Sequence, residues 1–544
     1  MTSYLELVPR DILEYIAFLV VSTPETLFRP PQELLNLLLT SSTLYYSLCT
    51  SSAPHLYARI FRSTFDLGQN GIYSTENRLT DSELTLDCVS RHGMLRRVRR
   101  RDFSNKMMFE DLCVAMRIII ESAGVNEAHL RSAGFSDFIF TYARRCLNKQ
   151  QLACTRTNLD CETSLVLWLL ALTWSRDDVS EITPELREHF LSLLRPFVLG
   201  VSRFVVKSVS LNVPANYNFQ DVRESKLFVR NRLSHSPKAD CDMSIPSATS
   251  AAIILYFALQ EASAIKVTPR LLFGRIIDQR DGREGPTMED YCRMTNYQTP
   301  LFGDDCPAPE TAKPKLSNSI RHDPQFFNPK LPGSNAYCYL PDIITGLWEG
   351  VYMVSCTHMD KEAPFSPSVP DFICKKSMQC SLALFFYFGT PDSDILVPRS
   401  IGDEVSQWTA MPRDFSTELD CLTVSGRKTP YEKFVSSASG KCQVFRNYSQ
   451  ALDCLVIGQT AQDHDRAWGG FNFAGRLKRN GTIVMKREPK NSSDASLGTW
   501  IFEGNVRYGS VFAGKWRSNI RRSASGINGL FSLEKTVTPS QDEG

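Results

Sequence analysis

Paired cysteines are missing from this 544-residue chain: its sixteen cysteines are scattered singly from Cys49 to Cys454, and no Cys-x-x-Cys occurs. Structural zinc is not indicated, because a tetrahedral site usually draws its ligands from closely spaced pairs. Long apolar runs are missing too. The run Leu165–Leu172 has eight residues, far below the ~20 that span a bilayer, and reads as a buried helix. Charge of one sign is also lacking: Lys and Arg exceed Asp and Glu by only two, which gives no global pull toward nucleic acid or anionic lipid. Catalytic spacings are absent as well. Eight histidines are dispersed from His55 to His464, with no His-x₃-His and no Gly-x-Ser-x-Gly, so neither a metal hydrolase nor a serine-nucleophile elbow is indicated. Glu6, Arg10, Asp11 and Glu14 interrupt the N-terminal apolar region, as no secretory signal tolerates. The thiols are expected to stay reduced in the cytoplasm or nucleus, leaving the sequons at Asn447, Asn480 and Asn491 unglycosylated. No cofactor, membrane or nucleic-acid partner is expected.

What the chain does have begins at Leu5–Phe65, which reads as three short helices. Pro9 suits a first helical position, and Ile12, Leu13, Ile16, Leu19 and Val20 follow as one apolar stripe. Pro31 opens a second helix with Leu34, Leu37, Leu38, Ser41, Tyr45 and Leu48 on one face and Leu35, Leu39 and Leu44 widening it. Pro54 opens a third through Leu56, Tyr57, Ile60 and Phe61. Helices this short and leucine-rich cannot bury all their apolar surface on one another, which implies a partner unless they cap a larger helical core.

The order Leu-x-Pro-x-x-Ile-Leu-x-x-Ile, a leucine run ending in a small polar residue, then Leu56-Tyr57 before another apolar pair resembles the F-box. The linker Val21–Pro30 is longer than the usual one, and Leu56-Tyr57 replaces a frequent Leu-Trp. The resemblance implies docking on the Skp-type adaptor of a cullin-RING ubiquitin ligase through Leu7, Pro9, Ile12, Leu13, Ile16, Leu34, Leu37, Leu38, Leu44 and Tyr57.

From 66 to 265 the period stays helical, with helices expected over 107–122, 135–147, 163–174, 184–206 and 249–262. No fixed repeat appears, so an irregular all-α domain is expected rather than a solenoid. The dense basic run Arg91–Arg101 carries Met94, Leu95 and Val98 at helical spacing, which fits a helix with a solvated basic face; nuclear import is the competing reading. Residues 266–335 cluster proline, glycine and charge and read as linker and long loop.

Beyond 335 the period falls toward two. Strands are expected over 346–354, 381–388, 468–477, 482–486, 499–506 and 510–516, with Asn480-Gly481 as a hairpin turn. Many short strands with turn signals indicate an antiparallel β-barrel or closed β-sandwich over 336–535, and 536–544 reads as a tail. Gly346-Leu347-Trp348-x-Gly350-x-Tyr352, with Gly498-x-Trp500-Ile501-Phe502-x-Gly504 and Gly514-x-Trp516-Arg517, resembles the β-domain that follows F-boxes in fungal and some animal proteins. The fold class expected is therefore α+β and multidomain: an F-box over 1–65, a helical domain over 66–265, the linker, the β-domain and the tail.

Two local motifs invite chemistry. Gly509–Lys515 spells a phosphate loop, but Trp516 stands where Ser or Thr must hold magnesium. Asp463-His464-Asp465 would raise a histidine pKa, yet nothing else converges on it, and a polar turn is the plainer reading. Trp348, Tyr352, Trp468, Arg476, Trp516 and Arg517 form the aromatic and arginine set that anchors protein interfaces, and are the candidate target-binding residues. The barrel interior is the competing place for the aromatics. The function expected is a non-catalytic F-box substrate receptor that captures a target protein on the β-domain. A small-molecule-binding or enzymatic β-barrel with a helical cap is the alternative, marked by a polar cluster in an apolar pocket.

Overall fold

The computed structural model describes residues 4–22, 28–29, 31–67, 80–104, 106–153, 161–199, 227–229, 243–245, 248–263, 286–303, 336–338, 340–355, 374–389, 415–418, 421–424, 427–435, 447–479, 481–491, 498–507, 510–518 and 528–536. The chain divides into two compact units. One is Met1–Thr183, Phe204–Ala248 and Leu301–Asn328; the other is Pro184–Arg203, Thr249–Pro300 and Pro329–Gly544.

The first unit is helical and opens with α1 (Arg10–Val21), α2 (Gln32–Thr40), α3 (Ser42–Leu48) and α4 (Pro54–Thr64). The second expected helix is thus two. Ser41 breaks it with an extended backbone, φ −155° and ψ 158°, and its side chain accepts the Leu44 amide as the N-cap of α3. A serine hydroxyl competes with the helix for backbone donors, so it favours a restart over continuation. Four more long helices follow: α5 (Asp81–Arg99), α6 (Met108–Ile120), α7 (Val125–Ser132) and α8 (Phe135–Ala153), then α9 (Cys161–Thr173) and the short α10 (Arg176–Glu181). Thr80 and Glu83 close a capping box on α5, and Ser175 and Asp178 another on α10. Leu165–Leu172 lies in α9 and is buried all along, as expected of a helix apolar on every face.

The second unit contains α11 (Pro184–Leu199), α12 (Ala248–Ser263) and α13 (Met288–Asn296) before its strands. Helix α13 falls where a linker was expected. Thr287 caps it by accepting the Asp290 amide while Asp290 answers at the Thr287 amide, a box that offsets its polar composition. It packs on the strand Cys374–Tyr387.

Eight strands close an antiparallel barrel: β1 (Gly346–Ser355), β2 (Cys374–Tyr387), β3 (Asp453–Gln459), β4 (Phe471–Leu477), β5 (Thr482–Pro489), β6 (Trp500–Arg507), β7 (Val511–Ser518) and β8 (Asn528–Lys535). Each pairs with its sequence neighbour, and β8 returns to β1 with Phe531 opposite Tyr352. Closure removes the sheet edges, which makes the architecture a barrel rather than a sandwich. Residues 431–433 pair with 385–387 of β2, beyond the part of that strand matched by β1.

Strand parity fills the interior. Trp348, Phe386, Phe473, Phe502, Phe512, Trp516 and Phe531 belong to one buried cluster. Gly504 faces Gly514 across the β6–β7 register, and a Cβ on either would approach the Phe531 ring to 2.8 Å. These two motif glycines therefore make room for an aromatic ring. The phosphate-loop letters fall partly on β7, a strand, where no helix N-terminus faces a phosphate. Residues 537–544 and Asn480 lie outside the described residues.

Candidate functional site

The N-terminal helices sort their apolar residues into two sets. Leu13, Ala17, Val21, Leu34, Leu44, Leu48, Leu56, Tyr57, Ile60 and Phe61 are buried. Tyr57 turns its hydroxyl to the Leu48 carbonyl at 2.9 Å, which fixes α4 against the end of α3. Glu14, also buried, accepts Arg10 Nε at 2.9 Å and meets His55 Nε2 from α4. A carboxylate held from two sides locks α1 to α4 at low cost.

The other set points outward. Leu7 is 69% exposed, Leu39 72% and Tyr46 71%, and Ile12, Tyr15, Leu19, Leu35 and Tyr45 are exposed with them. Of the expected adaptor contacts, Leu7, Pro9 and Ile12 are thus accessible and Ile16, Leu37 and Leu38 half-buried. Leu13, Leu34, Leu44 and Tyr57 are corrected: they form the helices' own interior and offer no surface to a partner. One apolar stripe cannot serve both faces, and Leu13 and Leu34 point to the inner one. Tyr15, Leu19, Leu35, Leu39, Tyr45 and Tyr46 take their place on the outside.

The basic run is largely committed within its own unit. Arg91 is fully buried, paired with Asp87 at 2.9 Å and with Glu121. Arg97 Nε donates to Asp111 at 2.7 Å, and Arg99 reaches the Phe28 carbonyl at 2.8 Å. Met94, Leu95 and Val98 are buried beneath them. The run is an amphipathic helix whose arginines brace neighbouring helices.

The barrel redistributes the expected target-binding set. Trp348, Tyr352 and Trp516 are interior, and two of them satisfy their indoles there: Trp348 Nε1 donates to Ile344 O at 2.7 Å and Trp516 Nε1 to Met353 O at 3.0 Å. These three are corrected from interface to core, since inward strand positions bury whatever they carry. Arg476 is also corrected. It is buried on the outward face of β4, where its Nε meets Asp453 at 3.0 Å, so it presents no fork to a rim. Trp468 is half-buried beside Tyr291, ring centroids 5.9 Å apart, and Arg517 is half-buried on β7.

Asp463-His464-Asp465 belongs to α14 (Gln462–Trp468, counting only α-helices longer than one turn). Asp465 raises the histidine pKa but is outweighed. Burial, followed by the charge of Arg487, pulls His464 down to about 4, while Asp465 is taken by Lys490 Nζ at 3.1 Å. Among the described residues no group of three His, Cys, Asp or Glu side chains could hold a metal ion, and no helix is long and apolar enough to cross a membrane. In the helical unit, a cavity of about 470 Å³ is lined by Glu127, Asp137, Asp177 and Glu181 among others.

Sequence reading missed Arg487. It follows Ile483 and Met485 at the next inward position of β5, opposite Phe473 and Trp500, and is only 3% exposed. Its guanidinium carbon lies 4.0 Å from the Phe471 ring centroid, 5.1 Å from Tyr352, 5.6 Å from Phe502 and 5.9 Å from Trp500. The available signal was parity alone: a cation at a core-facing register position. Comparison with known protein families, with curated proteins and with solved structures found no match to this chain.

Proposed function

We propose that this chain is the substrate-recognition subunit of an SCF-type cullin-RING ubiquitin ligase, its N-terminal helices holding a Skp-type adaptor and its β-barrel region capturing the protein to be ubiquitylated. The observation that supports this reading is the concentration of exposed apolar side chains. Of fourteen exposed large hydrophobics among the described residues, nine fall between Tyr4 and Tyr46. Scattered singly such residues mean little, but gathered on α1, α2, α3 and the turn Tyr4–Leu7 before them they mark a surface that another protein covers. The order of motifs along these helices, which resembles the F-box, points to the adaptor as that protein. Chemistry then belongs to the partners: the receptor holds a target lysine near a charged conjugating enzyme and raises its effective concentration. The filled barrel interior favours a protein partner over a small molecule lodged in the lumen.

Titration of the full chain with purified Skp-type adaptor tests the reading. Ile12→Asp, Leu39→Asp and Tyr46→Asp each place an unpaired carboxylate in the contact at a position exposed in the free chain. Each is expected to leave thermal stability unchanged and to weaken binding by a factor of about ten or more. Leu13→Asp is the wrong probe, because it unfolds the helices whatever they bind. A wild-type chain that stays uncomplexed at about 10 μM adaptor removes the basis for the proposal.

A further inference from the structure

Two buried arginines of this protein face carboxylates: Arg91 has Asp87 and Glu121, and Arg476 has Asp453. Arg487 does not. Its Nε is buried with no hydrogen-bond partner, and no described acid forms an ion pair with it. The Tyr352 hydroxyl beside it is a neutral partner. The acids close by in sequence or space are occupied: Asp465 by Lys490 at 3.1 Å, Asp290 by the Thr287 amide at 2.9 Å, and Glu488 by Lys486.

Position makes the missing partner informative. Arg487 stands one inward position before Pro489, the last residue of β5, near the barrel end formed by Ser355, Cys374, Gln459, Phe471, Pro489 and Trp500. The guanidinium carbon lies over the rings of Phe471, Tyr352 and Phe502, while Trp500 beside it is half-exposed. Aromatic faces attract a cation, but they leave its in-plane N–H groups unused. An unpaired Nε–H is one half of the side-on fork that grips two oxygens of a carboxylate or phosphoryl group. His464 is neutral near pH 7, with Arg487 among the causes of its lowered pKa, so it adds no competing positive charge.

We propose that this end of the barrel is an oxyanion-binding site anchored by Arg487, taking a carboxylate or phosphoryl group on the Nε edge of its guanidinium. The inference does not depend on whether the N-terminal helices bind an adaptor.

Thermal unfolding of the full chain in sodium acetate or sodium phosphate, with sodium chloride at equal ionic strength as reference, tests it. At least one oxyanion is expected to raise the barrel's transition in a saturable way. A response to acetate alone assigns a carboxylate, and one to phosphate alone a phosphoryl group. Arg487→Met, an apolar side chain of similar length, is expected to fold at least as stably in chloride and to lose the response. Arg487→Lys keeps the charge without the fork and should weaken the apparent affinity about tenfold, which also covers the case in which the Met variant fails to fold. No response to either anion in the wild type overturns the site, as does a response that persists in the Arg487 variants.

Discussion

Buried Arg476 on β4 and half-buried Asp453 on β3 form an ion pair, Nε to Oδ2 at 3.0 Å, and Tyr431 donates its hydroxyl to the same aspartate oxygen at 2.7 Å. The three join the outer face of the barrel to residues 431–433, beside a second apolar cluster of Phe385, Tyr387, Leu422, Leu455, Val484 and Ile501. Burial, then the Asp453 charge, raises the Tyr431 phenol, so it stays protonated and donates.

Removing the aspartate should therefore cost more than removing a surface pair. Asp453→Ala removes the carboxylate that faces buried Arg476, and is expected to destabilise the barrel unit by about 3 kcal/mol in urea unfolding. Asp453→Leu with Arg476→Met together should recover most of that loss, because the cost lies in the buried charge left behind. A double variant as unstable as the single would show that packing, not charge, carries the effect.

The fold was legible where a period is local. Inward and outward positions of the strands around Trp348, Phe473, Ile483 and Trp516 follow from alternation, and the capped helices from their first turns. Closure as such was expected, but the strand that completes it was not, because β8 meets β1 only through pairs such as Phe531 with Tyr352, far apart in sequence. Helix α13 hid in a stretch of proline, glycine and charge, where the Thr287–Asp290 capping box overrides composition. The candidate surfaces were legible only in part. An apolar stripe shows that Ile12 and Leu13 belong to one helix, but which of them faces inward depends on α4. Arg476 reads as a rim residue until Asp453 is brought to it, and Arg487 reads as an ordinary surface charge until the strand's parity is followed inward.

Cys49 should be distinguishable from its buried counterparts by reactivity. Hydrogen bonding between its sulfur and the hydroxyls of Ser51, then Ser52, at 3.1 and 3.2 Å pulls its thiol down to about 7. Burial pushes Cys88 up to about 12 and holds Cys380 above its ordinary value. Alkylation by iodoacetamide, mapped by mass spectrometry, is expected to rise at Cys49 through pH 7 while Cys88 and Cys380 stay unmodified in the folded chain. Ser51→Ala should move the inflexion toward the ordinary thiol range. An inflexion at about 8.5 in the wild type would mean that the serines do not hold the thiolate.

Acid should loosen the helical unit at one joint. Phe65, just past α4, lies between two histidines: His129 stacks on it at 4.6 Å and His92 meets it edge-on at 5.2 Å. His129 Nε2 also sits 2.7 Å from the Thr64 carbonyl. Burial lowers both, His92 to about 3 and His129 to about 4. A depressed histidine pKa means that the unfolded chain takes up protons first as pH falls below about 6.5, while the folded chain stays neutral until its own pKa is reached. Stability is therefore complete above the unfolded value and falls as pH drops toward 4, by up to about 1.4 kcal/mol per pH unit for each histidine. Urea midpoints followed by helical circular dichroism, compared between about pH 7 and pH 5 so that most carboxylates remain ionised, should show that loss. His129→Gln keeps an amide donor for Thr64 but cannot titrate, and is expected to shrink the slope by roughly half. A slope unchanged in that variant would place the acid sensitivity elsewhere than in the pair around Phe65.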